Sequence, residues 1–171
     1  MVFGKPAVIV EGKFDFHPLE YFRRKFGKSD GYSIFPINGA GDAAPVISLL
    51  RGWGVDYMVL LDDDPAGNAA KRKYEKDLAV PSSRIMQIGE VSETLKGKSF
   101  EAVYNKLVDA RAEDYTDKKI PNKRAYYDLF LDLTSKGEYD TKFGSTDQVV
   151  NKILDGIESR LIEISKGGEA L

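Results

Sequence analysis

Three consecutive carboxylates, Asp62-Asp63-Asp64, follow directly on the apolar run Tyr57-Met58-Val59-Leu60-Leu61. A fourth acid, Glu11, follows the run Ala7-Val8-Ile9-Val10 and precedes Gly12. Carboxylate oxygens are hard ligands. With no cysteine and a single histidine, His17, in the chain, they suit Mg2+ or Mn2+. Side chains alternate along a strand, so Asp62 and Asp64 are expected on one side and Asp63 on the other. Two carboxylates held close repel each other unless a cation lies between them. A divalent ion at Glu11, Asp62 and Asp64 can align a water or hydroxyl and neutralise charge at a phosphate. Gly12 and Gly67 would keep the turns slim enough for a phosphate backbone to approach. An acidic turn with Asp64 as the N-cap of the next helix accounts for the triplet without a metal. The second acidic motif at Glu11 weighs against that simpler account.

The surrounding pattern supplies the elements that must hold these acids. Strands are expected at 7–10, 32–37, 57–61 and 84–88, with Pro36 marking an edge or a strand end. Helical spacing covers 14–26, with Pro18 in its first turn, then 43–51 and from 68 to about 78. Strand and helix alternate, which predicts an α/β fold: a Rossmann-like, doubly wound parallel sheet of about four strands. Sites in such sheets lie at the carboxyl edge, where Glu11 and Asp62 would meet. From Gly89 the character changes. Helices are expected at 100–110, 124–133 and 146–164, separated by polar stretches at 112–122 and 135–145. The last helix places Val149, Val150, Ile153, Leu154, Ile157, Leu161 and Ile162 on one face. Residues 1–90 read as the α/β core and 91–171 as a helical extension packed on it. Tyr126, Tyr127 and Phe130 are expected in the core of that extension rather than as a base-stacking platform.

Composition bounds the function. The 171 residues suffice for one domain with a real core. Lys and Arg number 25 against 27 Asp and Glu, so no overall basic footprint for nucleic acid exists. Basic clusters are local: Arg23-Arg24-Lys25, Lys71-Arg72-Lys73, Lys118-Lys119 and Lys123-Arg124. The lack of cysteine excludes disulfides, Cys-based zinc sites and thiol catalysis, and it fits a reducing cytoplasm. Neither a signal peptide nor a membrane-spanning run is expected.

Two stretches together resemble a known family. Val10-Glu11-Gly12-Lys13-Phe14-Asp15, with Leu61-Asp62-Asp63-Asp64-Pro65-Ala66-Gly67-Asn68-Ala69-Ala70 about fifty residues on, is similar to the Toprim domain. That domain carries Glu-Gly after its first strand and Asp-x-Asp after its third. The likeness covers about residues 6–90 and is greatest to the nucleases of the OLD (overcoming lysogenization defect) family. Glu-Gly-x-x-Asp resembles their first motif and adds Asp15. Asn38-Gly39-Ala40-Gly41-Asp42 resembles their turn after strand two, Ser92-Glu93-Thr94-Leu95 their later acidic segment, and Asn122-Lys123-Arg124-Ala125 their downstream lysine. The resemblance implies two Mg2+ or Mn2+ ions held by Glu11, Asp15, Asp62, Asp64 and Glu93. It further implies catalysis by Glu11, Asp62, Asp64 and Lys123, with Lys123 facing the substrate phosphate. OLD proteins carry an ATPase domain before the Toprim domain. No Gly-x-x-x-x-Gly-Lys-Ser/Thr occurs here, so an ATPase domain or protein is expected as a partner.

The expected function is thus a metal-dependent endonuclease acting on DNA, with RNA as an alternative substrate. A primase-like nucleotidyl transferase and a non-catalytic nucleic-acid-binding Toprim module are the rival readings. A primase of the usual kind brings a zinc module, for which there are no cysteines. A topoisomerase needs a tyrosine nucleophile on a separate large domain. A phosphoacceptor receiver domain fits the Glu-Gly after strand one poorly.

Overall fold

The four apolar runs form the four strands of a computed structural model that describes residues 4–28, 30–39, 42–104 and 123–167, with Lys123 by its backbone alone. The strands are β1 (Ala7–Val10), β2 (Ser33–Pro36), β3 (Tyr57–Leu61) and β4 (Ile85–Gln87). All pair in parallel, in the order β2-β1-β3-β4. Every residue of β1 and β3 is buried, as expected for central strands covered on both faces. Pro36 is the last residue of the edge strand β2, a place where a missing amide proton costs little.

Helices α1 (Lys13–Lys25), α2 (Ala43–Gly52) and α3 (Pro65–Asp77) connect the strands. Strand alternation decides which face each one covers. Val8, Val10, Met58, Leu60 and Met86 pack with Leu19 and Phe22 of α1. Ala7, Ile9, Tyr57, Val59, Leu61 and Ile85 pack with Ile47 and Leu50 of α2 and with Ala70 and Tyr74 of α3. The sheet is therefore doubly wound, and its strand order reverses between β1 and β3. Two helix starts differ from expectation in where they place a proline. Helix α1 begins at Lys13, so Pro18 lies in its second turn and withholds the bond that the Phe14 carbonyl would accept. Helix α3 begins at Pro65 rather than Asn68. Asp64 caps it and Pro65 takes the first helical position, where proline fits.

The helical C-terminal part covers the α1 face. Residues 100–104 are helical; the rest of the helix expected at 100–110, and the polar stretch 112–122 with Lys118 and Lys119, lie outside the described residues. Helices α4 (Lys123–Lys136) and α5 (Ser145–Gly167) follow. Their Tyr126, Phe130, Leu133, Val150, Ile153, Leu154 and Ile157 share one hydrophobic cluster with β1, β3 and α1. Ile162, expected on that face, is 54% exposed, while Ile164 is buried. Steps of four and three residues from Ile157 reach Leu161 and Ile164, leaving Ile162 about 100° off the stripe. Among the described residues no helix is long and apolar enough to cross a membrane.

Candidate metal centre

Glu11 and Asp62 reach one edge because two buried strands end there. In the β1–β3 register Val10 pairs with Leu60, so Glu11 leaves β1 level with Leu61, and Asp62 follows one residue further along the same edge, at the strand-order reversal. The Glu11 carbonyl accepts the Gly39 amide at 3.1 Å, tying the first acidic turn to the glycine turn after β2. Gly39 has φ +89°, which favours glycine; Ala40 and Gly41 lie outside the described residues.

Asp62 is held at both ends. Its Oδ1 accepts the Phe100 amide at 2.8 Å, and its carbonyl accepts Gln87 Nε2 at 3.2 Å. Gln87 is buried, donates also to Asn68 Oδ1 at 3.1 Å and accepts Lys71 Nζ at 3.3 Å. Asp63 bonds to the segment just before Phe100: its Oδ2 accepts the Gly97 amide at 2.9 Å, and its own amide donates to the Lys98 carbonyl at 2.9 Å. Asp64 Oδ1 accepts the Gly67 amide at 2.8 Å and caps α3. Asp62 and Asp64 thus take partners from different elements, and the capping role foreseen for Asp64 is real. Gly67 has a steric use within the fold. A Cβ there would lie 2.1 Å from the Asp62 carbonyl oxygen, so its smallness lets α3 abut the acidic turn. Gly89 does the same for Asp63, whose Oδ2 would be 2.2 Å from an added Cβ.

The other acids spread around this edge. Asp15 lies in the first turn of α1. Asp15 and Asp62 both act on the same two buried phenols. Burial raises the Tyr104 and Tyr126 pKa values well above the usual range, and the two carboxylates push the same way. Burial, then the charge of Glu11, raises that of Tyr74. The hydroxyls of Tyr74 and Tyr104 are buried without a hydrogen-bond partner among the described residues. Glu93 is exposed at the start of a 3-10 turn and pairs with Lys96 at 2.7 Å. Position 123 is the first residue of α4. Burial lowers the His17 pKa; Glu20 opposes this and Lys13 adds to it.

Among the described residues no group of three or more Asp, Glu or His side chains is gathered as a ready metal cage. Glu11, Asp15 and Asp62 nevertheless lie at the same carboxyl edge of the sheet and supply only hard oxygen donors. That donor set fits a Mg2+ or Mn2+ ion, which keeps several waters and needs only one or two carboxylates. Sequence reasoning missed Gln87 and the Phe100 amide, which fix Asp62. A glutamine closing an otherwise apolar strand is the one signal that points to the first; an amide has none.

Comparison with known proteins adds one finding. The family model described as "Overcoming lysogenization defect protein-like, TOPRIM domain" matches residues 2–64. That span includes both acidic motifs and stops where α3 begins. No curated protein and no solved structure matches the chain.

Proposed function

We propose, on the premise that residues 2–64 are the Toprim domain of an OLD-like protein, that the chain is a Mg2+- or Mn2+-dependent endonuclease cleaving phosphodiesters in DNA. Toprim domains are nucleic-acid-processing, metal-binding modules. The observation that carries the finer reading is the emergence of Glu11 and Asp62 from adjacent parallel strands at the strand-order reversal. In this reading residues 1–90 are the Toprim core and 91–171 its helical extension.

Glu11, Asp15, Asp62 and Asp64 would hold the metal, with Glu93 joining them by releasing Lys96. The bound ion supplies charge neutralisation at the phosphate and a more acidic water. Glu11, at the tip of β1, either ligates or takes the proton from the attacking water. Asp62, pinned by Phe100 and Gln87, keeps its place without reorganising. Lys123 would contribute positive charge at the phosphate as the transition state forms. An ATPase, as a further domain or a separate protein, would act with it.

A non-catalytic nucleic-acid-binding reading draws support from Asp64 serving as a helix cap and Glu93 pairing with Lys96. Plasmid nicking decides between the two. The nuclease reading expects Mn2+-dependent nicking by the parent protein and none by Glu11→Ala. No cleavage of any DNA or RNA form by the folded parent, with a partner ATPase supplied, would leave the binding module.

A further inference from the structure

The seam between α1 and α4 ends in a group of rings beside Asp15. Phe14 and Tyr127 meet edge to face with centroids 5.7 Å apart. His17 meets Tyr127 at 4.7 Å and Phe16 at 4.9 Å. The Lys13 ammonium lies 5.3 Å from the Phe14 ring centre and 5.7 Å from that of Tyr127. Helix spacing produces this arrangement, because residues 13, 14 and 17 share one stripe of α1. Tyr126 and Phe130 of α4 are buried as core, as expected from the sequence. Tyr127 is not: it, Phe14 and His17 are half-buried, and Lys13 is exposed. The Phe14 and His17 rings lie in the first turns of α1, the same end of the helix that carries Asp15 and follows Glu11. Position 123 lies one turn before Tyr127 on the same face of α4.

We propose that Lys13, Phe14, His17 and Tyr127 form a bed on which a base stacks, so that the nucleic acid bound at the acidic edge is single-stranded there. This rests on the reading of Glu11 and Asp62 as the phosphate-handling edge and names the form of its substrate. Ring faces hold bases of any identity, and a neighbouring cation strengthens the contact. In a duplex the bases are stacked inside and must be unstacked before a protein ring can reach their faces. A short apolar bed with one lysine suits an unpaired strand better.

Fluorescence anisotropy in Ca2+ buffer, with a labelled single-stranded oligonucleotide and the blunt duplex of the same sequence, tests this. The single strand binds more tightly to the parent protein. Tyr127→Ala weakens that binding by a factor on the order of 10 to 100 and leaves the duplex affinity unchanged. Tyr127→Phe and Tyr127→Trp keep the parent affinity, which ties the loss to the ring rather than to folding. Equal affinity for the duplex, undiminished single-strand binding by Tyr127→Ala, or no binding of either oligonucleotide overturns the proposal. Failure of the nuclease reading looks different: no cleavage, with Tyr127-dependent single-strand binding intact.

Discussion

Asp62 and Asp64 carry the same side chain two residues apart, yet the fold asks different things of them. Asp64 satisfies an amide at the start of α3, so Asp64→Ala should lower stability by about 1 kcal/mol, as for loss of an N-cap. Asn is an equally good cap, so Asp64→Asn should keep the melting temperature while weakening Mn2+ binding. Thermal unfolding of the two variants, with and without Mn2+, checks this; equal melting temperatures would mean the cap is idle. At Gly67 the constraint is steric. Gly67→Ala puts a methyl into the Asp62 carbonyl, and α3 must shift, at a cost of roughly 1–3 kcal/mol. Denaturant unfolding reads this directly, and a variant as stable as the parent would refute the close approach.

The elements explain why part of the site can be read from the chain and part cannot. Two runs of buried β-formers ending in acids are a local signal, so Glu11 and Asp62 at the ends of β1 and β3 are legible at once. What fixes Asp62 is remote: Gln87 is 25 positions away and the Phe100 amide 38. A single glutamine and a backbone N–H carry no periodicity, so no pattern foretells them. Tyr127 misleads for a related reason, since helical spacing separates it from Tyr126 by about 100° but leaves open which of the two is buried in the core. Gln87 offers a test at this scale. Gln87→Leu keeps the apolar packing of β4 but frees the Asp62 main chain, so the Mn2+-induced rise in melting temperature should shrink. Gln87→Glu retains an acceptor for Lys71 yet loses the amide donor and should behave likewise. An undiminished Mn2+ shift in both would show that Gln87 does not position Asp62.

At the scale of the whole molecule, the sheet has two apolar faces, and the C-terminal helices cover one of them together with α1. Ile153, Leu154 and Ile157 of α5 are fully buried in the same cluster as Val8 and Leu60. Residues 1–90 alone would expose that surface, so the isolated segment should aggregate or bind hydrophobic dye, whereas the full chain unfolds cooperatively. A soluble, cooperatively folded 1–90 fragment would contradict this shared core. The doubly wound sheet follows from alternating strands and helices; the burial of α5 against it depends on long-range packing that periodicity names without placing. The central claim is that this architecture brings Glu11 and Asp62 together to hold a divalent ion. Anomalous diffraction from a crystal soaked in Mn2+ tests that most directly. The account predicts a manganese peak at the carboxyl edge between Glu11 and Asp62, absent in Asp62→Asn. A map with no peak there at millimolar Mn2+, or with manganese bound only elsewhere, would contradict it.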